Sequence, residues 1–164
     1  MAEGDDDEAE YCDEGKYMTT IAWDGTTLAA DRLAVYGCTR RRVRKLFVCQ
    51  RFLYGGSGIL SDAYSVFEWL QSGADNASAP SIADGGTGGI VVDRKSGRAF
   101  IASGAPLRLV SAGRMWASGS GMDFALAAMA LGRNAVEAVR LAARFDIHTG
   151  GGVDSATVAK GRRS

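Results

Sequence analysis

The chain has 164 residues, of which 46% are apolar and 23% are charged, a composition typical of one soluble globular domain. No apolar run approaches the roughly 20 residues that span a bilayer, and Met1 is followed by acidic residues, unlike a secretory signal. The cysteines are three in number and lie far apart, which argues against a disulfide framework. These features predict a cytoplasmic protein without a membrane segment.

The formal net charge of zero hides an uneven distribution. Residues 1–18 carry a net charge of −7, and the rest of the chain carries +7. An acidic tract with so few apolar residues predicts a disordered extension or a pro-segment at 1–18. Met18 could equally be the true initiator. We expect one domain over 19–158 and a basic tail over 159–164.

Strands dominate the first half of the predicted structure. We expect them at Thr19–Trp23, Thr26–Ala30, Val43–Gln50, Arg51–Tyr54, Ile90–Asp93 and Arg98–Ala102, with one or two more within Leu107–Trp116. Asp24-Gly25 is a hairpin turn signal, and Arg94–Gly97 joins a second hairpin.

Apolar side chains at helical spacing, together with glycines after the run, indicate three helices. They are expected at Ser61–Leu70, Asp123–Leu131 and Ala135–Arg144. Ser61 or Asp62 is the expected N-cap of the first, and Gly55–Gly58 is expected to break the chain before it. Ser72–Gly89 is expected to be a loop, and a short strand to follow the last helix. Hairpins with helices segregated between them predict an α+β fold.

The usual catalytic motifs are missing from the sequence. His148 is the single histidine, so a two-histidine metal site is excluded, and its position beside glycines is more typical of a loop residue. Gly86–Gly89 lacks the lysine of a phosphate-binding loop. The basic run Arg40–Lys45 is consistent with a solvated strand edge or with a nucleic-acid patch. It has no interleaved aromatic residues for base stacking, which favours the solvated edge.

One form of nucleophilic catalysis needs no histidine. A threonine at a chain terminus carries its own general base, because its α-amine lies beside its hydroxyl and titrates near neutral pH. Thr19 would be such a residue if Met18 is the initiator, since methionine before a small residue is trimmed.

Several separated motifs, in the same order along the chain, resemble those of proteasome β subunits and the bacterial HslV peptidase. They are Thr19-Thr20-Ile21, Ala30-Asp31-Arg32, Arg44-Lys45-Leu46-Phe47, Tyr54-Gly55-Gly56-Ser57-Gly58, Gly119-Ser120-Gly121 and Asp146-Ile147-His148-Thr149-Gly150-Gly151. The resemblance covers Thr19 to Asp154, and the shortness of the chain suggests the compact proteasome-like proteins of bacteria and their phages.

The resemblance implies a four-layer αββα sandwich of the N-terminal nucleophile hydrolases, an α+β fold. One helical layer would be reduced, because Ser72–Gly89 stands where full-length members have a second long helix. Rings of identical subunits, an ATPase unfoldase partner and unfolded polypeptide substrates are further implications. No cofactor, metal, membrane or nucleic acid is expected.

The resemblance also implies site roles, which the chemistry of the residues supports. Thr19 would be the nucleophile, and Lys45 would favour its deprotonated forms. Asp31 would pair with Lys45, because a buried lone ammonium is costly. The Gly55 N–H would bind the oxyanion. The terminal amine would be oriented by three residues: Ser120, Asp146 and Thr149.

Each role has a structural alternative. Asp31 and Asp146 could cap turns, and Ser120 could be a helix N-cap. Arg42 or Arg44 could take the place of Lys45.

The predicted function is therefore that of a threonine endopeptidase acting through an acyl-enzyme on Thr19. One alternative is a catalytically silent scaffold in which residues 1–18 block the amine of Thr19. Another is a nucleic-acid-binding module that uses Arg40–Lys45.

Overall fold

The computed structural model describes residues 18–82 and 88–159, and its fold is α+β, as the sequence predicted. The strands of the described ranges are β1 (Thr20–Trp23), β2 (Thr27–Asp31), β3 (Leu33–Tyr36), β4 (Thr39–Arg42), β5 (Leu46–Val48), β6 (Phe52–Ser57), β7 (Gly88–Asp93), β8 (Ala99–Ser103), β9 (Arg108–Ser111), β10 (Trp116–Gly119) and β11 (Val153–Thr157). The helices are α1 (Leu60–Gln71), α2 (Met122–Ala130) and α3 (Ala135–Ala142), with a 3-10 turn at Asn76–Ser78.

All paired strands are antiparallel and form three sheets. The first sheet has the order β10-β1-β2-β11, and the second has the order β5-β6-β7-β8-β9. Strands β3 and β4 form a separate two-stranded hairpin. Strands β1 and β2 are the two central strands of the first sheet, so each has a paired strand on both sides.

The two large sheets pack face to face around the main apolar core. Ile21 and Leu28 of the first sheet contact the same cluster as Leu53 and Ile90 of the second. These side chains are essentially without solvent exposure, and burial of each contributes about 1.5–3 kcal/mol. Alternation along a strand sends every second side chain to this core and leaves the others for the outer faces.

Helices cover the two outer faces. Val66 and Leu70 of α1 pack with Tyr54 and Val91 on the second sheet. Helices α2 and α3 pack through small residues and Val139 on the first sheet. The layers therefore follow one another as α1, second sheet, first sheet, and the α2–α3 pair.

Most of the predicted elements are confirmed with shifted ends. The first hairpin is held by Asp24, whose Oδ1 accepts from the N–H groups of Thr26 and Thr27 at 2.9 and 2.8 Å. Helix α3 begins with a capping box between Asn134 and Glu137, which explains its sharp start.

Two predictions about the segment before α1 are wrong. Strand β6 runs through Gly55 and Gly56 to Ser57, so these glycines do not break the chain. The N-cap of α1 is Ile59, without a side-chain hydrogen bond, and Ser61 and Asp62 lie inside the first turn. Glycine is used here for close packing: a Cβ on Gly56 would lie 2.9 Å from the Ala63 Cβ.

The β3–β4 hairpin was not predicted, because every residue of β4 is exposed and shows no apolar alternation. The predicted extension and basic tail lie outside the described residues, except Met18 and Ala159, as do residues 83–87 of the predicted loop. Within the described ranges, no helix is long and apolar enough to cross a membrane.

Candidate active site

Thr19, Asp31 and Lys45 lie together where strand ends of the two large sheets come close to each other. The Thr19 hydroxyl donates to Asp31 Oδ1 at 2.7 Å, and Lys45 Nζ donates to the same oxygen at 2.9 Å. All three side chains are buried. The structure therefore brings together three residues that are separated by up to 26 positions in the sequence.

These residues lie close together because each stands at or next to the end of a strand. Asp31 is the last residue of β2. Thr19 directly precedes β1, and β1 is the antiparallel partner of β2. Lys45 directly precedes β5, the edge strand of the second sheet. Arg42 and Arg44 point to solvent, so neither competes with Lys45 for Asp31.

The Asp31 carboxylate is surrounded by donors. Its Oδ1 accepts from the Thr20 N–H at 3.0 Å as well as from Thr19 and Lys45. Its Oδ2 accepts from the N–H groups of Leu33 and Gly150, each at 3.0 Å. The bond from the Leu33 N–H is the turn cap that the sequence left as an alternative, so Asp31 caps a turn and also pairs with Lys45. A buried charge needs such complete hydrogen bonding to be tolerated.

Lys45 is a buried cation with two acceptors. Its Nζ donates to Asp31 and, at 3.2 Å, to the carbonyl oxygen of Met18. Burial lowers the pKa of Lys45 below the ordinary lysine value of 10.5, and the carboxylates of Asp31 and Asp146 oppose that shift. The ammonium thus lies beside the peptide bond that precedes Thr19.

A second cluster lies on the other side of Thr19. The Ser120 hydroxyl donates to Asp146 Oδ2 at 2.6 Å, and the Thr149 hydroxyl donates to the same oxygen. Ser120 Oγ is also 3.5 Å from the carbonyl oxygen of Thr19. The N-cap of α2 is Gly121, so Ser120 does not cap that helix.

Hydrogen bonds keep Asp146 ionised. Burial is the largest single influence and raises its pKa, but donors from Ser120, Thr149 and the His148 N–H outweigh it. The pKa of Asp146 therefore lies below the ordinary value of an aspartate. The bond from the His148 N–H, 3.1 Å long, also makes Asp146 a turn cap.

Thr20 was missed as a candidate by the sequence analysis. Its Oγ1 lies 2.6 Å from Thr149 Oγ1, and both residues are buried. In the sequence, Thr20 was named only as part of a strand and of the Thr19-Thr20-Ile21 motif, without a role at the site. Strand alternation places its side chain opposite that of Ile21, away from the main core, and this was the signal available in the sequence.

Gly55 lies inside β6, paired with Leu46 of β5 and Ile90 of β7. The neighbouring Gly56 N–H donates to the Lys45 carbonyl at 2.9 Å, so alternation directs the Gly55 N–H towards β7. A Cβ on Gly55 would lie 2.7 Å from Ile21 Cγ2. These contacts give Gly55 a packing role, and its assignment as oxyanion donor stays a prediction that the strand pairing does not favour.

Other candidates fall outside this cluster. His148 contributes its backbone N–H, and its half-exposed ring lies near Asp146. Arg40, Arg41 and Arg42 form the exposed strand β4, in agreement with the solvated-edge interpretation. Across residues 18–82 and 88–159, no group of three or more His, Cys, Asp or Glu side chains is arranged to hold a metal ion.

No protein-family model matches the sequence, and no curated protein matches it. Solved structures do match in fold. The chain is similar to Thiobacillus denitrificans BPH, with 17% identity, a TM-score of 0.64, and coverage of 88% of this chain and 100% of that chain. It is also similar to the same protein in complex with epoxomicin, with 17% identity, a TM-score of 0.63, and coverage of 87% of this chain and 100% of that chain. At this identity the likeness shows a shared fold.

Proposed function

We propose that the protein is a threonine peptidase that cleaves peptide bonds through an acyl-enzyme on Thr19. The observation that carries this proposal is the contact of the Thr19 hydroxyl with Asp31, which is itself paired with the buried Lys45. A hydroxyl is a weak nucleophile unless a base and a positive charge lie next to it. Lys45 would supply the positive charge, since its ammonium and the Thr19 hydroxyl share the same Asp31 oxygen.

The proposal requires a chain that begins at Thr19. While Met18 is attached, the Thr19 nitrogen belongs to a peptide bond and cannot act as a base, and Thr19 has no solvent exposure. Removal of the preceding residues produces a free α-amine next to Thr19 Oγ1. It also frees Lys45 Nζ from the Met18 carbonyl.

The reaction then has two balanced steps. The α-amine takes the Thr19 hydroxyl proton while Oγ1 attacks the substrate carbonyl carbon, and collapse of the tetrahedral intermediate transfers that proton to the leaving amine. A water molecule then attacks the ester with the same amine as base, and collapse of the second tetrahedral intermediate releases the carboxylic acid and returns the proton to Thr19 Oγ1. Lys45 stabilises the negative charge that develops on Oγ1.

Ser120 and Asp146 would position the amine. Ser120 gives its proton to Asp146 at 2.6 Å, so its oxygen lone pairs can accept from an N–H of the Thr19 amine. Asp146 thus acts on the amine through Ser120.

The layered fold supports the same proposal. We infer that α1, the two sheets and the α2–α3 pair form the αββα sandwich of the N-terminal nucleophile hydrolases, with α1 as the reduced layer. Thiobacillus denitrificans BPH, which shares this fold, was solved in complex with epoxomicin. Epoxomicin is therefore a suitable probe of this chain.

Intact mass and peptide hydrolysis test the proposal together. We expect a chain beginning at Thr19 to hydrolyse fluorogenic peptides and to gain the mass of epoxomicin, and Thr19→Ala to do neither while unfolding at a similar temperature. The chain that retains residue 18 should be inactive. Equal turnover by Thr19→Ala and its parent would reject the assignment.

The silent scaffold is the second candidate, and the buried state of Thr19 in the chain with Met18 attached favours it. It predicts that protein purified from its natural host retains residues before Thr19. N-terminal sequencing of that protein separates the two candidates, because only a free Thr19 amine is compatible with the peptidase.

Self-association is part of the proposal. Phe145 and Ile147, which flank Asp146, are 61% and 80% exposed, and Phe124 stacks on Phe145 at 5.5 Å between ring centroids. Large exposed apolar side chains of this kind favour a protein interface. Ile147→Glu should shift the mass measured by analytical ultracentrifugation towards the monomer, and an unchanged mass would exclude this surface.

A further inference from the structure

The hydroxyl of Thr20 is the end of a chain of hydrogen bonds that reaches Asp146. Thr20 follows the nucleophile directly, and both Thr20 and Thr149 are buried. Their hydroxyl oxygens lie 2.6 Å apart, although the residues are separated by 129 positions. The distance alone leaves open which of the two hydroxyls is the donor.

The neighbouring hydrogen bonds determine which of the two hydroxyls is the donor. Asp146 is ionised, so its Oδ2 can only accept, and it does so from Ser120 and from Thr149. A hydroxyl has a single proton. Since Thr149 gives its proton to Asp146, Thr20 must be the donor in the Thr20–Thr149 bond. The protons therefore run from Thr20 to Thr149 to Asp146.

Gly121 leaves room for the hydroxyl groups of this chain of hydrogen bonds. A Cβ at position 121 would lie 2.1 Å from Thr20 Oγ1 and 3.0 Å from Thr149 Oγ1. Real Cβ atoms do not approach an oxygen so closely, so any larger residue would push the Thr20 hydroxyl away. Gly121, the N-cap residue of α2, thus allows the hydroxyls of Thr20 and Thr149 to stay in contact.

We propose that Thr20 is a positioning residue for the peptidase reaction. Its hydroxyl holds the Thr149 proton on Asp146, and this keeps the lone pairs of Ser120 directed at the Thr19 amine. Two donors hold Asp146 Oδ2 in place, and Ser120 is oriented by that oxygen. Without the Thr20 donor, the bond from Thr149 to Asp146 Oδ2 weakens, and the acceptor of Ser120 is held less firmly. This inference rests on the proposed function.

The test compares Thr20→Val, which keeps the shape without the hydroxyl, with Thr20→Ser, which keeps the hydroxyl. Both variants retain the backbone N–H that donates to Asp31. In chains beginning at Thr19, we expect kcat to fall about tenfold in Thr20→Val with KM nearly unchanged, because orientation of the base is lost. Thr20→Ser should keep most of the activity.

A titration of Asp146 by carboxyl NMR provides a readout without turnover. Loss of the Thr20 donor weakens the bond from Thr149, so the pKa of Asp146 should rise in Thr20→Val and stay near that of the parent in Thr20→Ser. In the Thr149→Val background, Thr20→Val should change neither kcat nor this titration further.

Different results would reject the peptidase function and the role of Thr20. An inactive parent that still shows the Thr20-dependent titration would reject the peptidase and with it the catalytic role of Thr20, while supporting the proton direction. Equal titrations and equal kcat in the Val and Ser variants of an active parent would overturn the inference about Thr20 alone.

Discussion

The basic run from Arg40 to Lys45 contains two regions that the fold treats in opposite ways. The arginines of β4 are exposed and take part in none of the ion pairs among the described residues. Lys45, the last residue of the run, is 3% exposed and lies 2.9 Å from Asp31. Cations that are neighbours in the sequence thus have opposite environments: the arginines of β4 lie in solvent, and Lys45 lies in the core.

The comparison shows what a functional cation requires. An exposed arginine is hydrated and screened, so its contribution to folding or to a reaction is small. A buried ammonium costs several kcal/mol unless it has acceptors, and its field acts strongly on nearby groups because water is excluded.

The largest effect should come from Lys45→Met, which keeps the length of the side chain and removes the charge. In a chain beginning at Thr19, kcat should fall at least about a thousandfold, because the developing charge on Thr19 Oγ1 loses its partner. Arg42→Met is the matched control and should retain parental kcat. Similar rates for the two variants would contradict the assignment of Lys45.

Asp31→Asn should cause the largest loss of stability. An amide has one oxygen, so it cannot accept from donors on both sides as the carboxylate does, and Lys45 loses its counter-ion. We expect the free energy of unfolding to fall by about 3–5 kcal/mol in urea denaturation. A loss below 1 kcal/mol would show that the site is hydrated.

Gly55→Ala tests how closely the sheets must approach to keep water from the ion pair. The new Cβ meets Ile21 at 2.7 Å, so we expect a loss of about 1–3 kcal/mol in the free energy of unfolding. The double variant with Ile21→Ala removes the clash. It should therefore lose less than the two single effects combined, as measured by a double-mutant cycle.

The pH dependence of the free energy of unfolding should reveal the contribution of Asp146 and its two hydroxyl donors, Ser120 and Thr149. The folded pKa of Asp146 lies below its unfolded value, so the unfolded chain binds more protons as the pH falls from about 4, and the free energy of unfolding decreases. Asp146→Asn should flatten this decrease. Denaturation curves from pH 3 to pH 6 measure the effect, and parallel curves for parent and variant would exclude it.

The smallest effect is expected from replacing the three arginines of β4 with glutamine. Because these side chains are exposed, stability should change by less than about 0.5 kcal/mol for each replacement, and peptidase activity should remain. The nucleic-acid alternative predicts instead a salt-dependent binding of RNA or DNA that this variant loses. A fluorescence anisotropy titration at two salt concentrations distinguishes them.

The local sequence determined most strands, the helices and the first turn. Alternation and helical spacing act over a few residues, and Asp24-Gly25 carries its own turn chemistry. The same signals did not reveal β4, where no face is buried, or the continuation of β6 through Gly55, where the neighbouring sheet and not the local chain requires glycine.

The site itself divides in the same way. Thr19, Asp31 and Lys45 could be selected from the sequence because each has chemistry suited to a role and stands in a motif that resembles a known family. Their contact, and the cluster around Asp146, were implied only by the resemblance, because both depend on how the two large sheets pack and no local pattern encodes that packing. Only the tertiary structure places the Thr20 hydroxyl against Thr149, because a hydrogen bond of 2.6 Å across 129 positions leaves no local pattern.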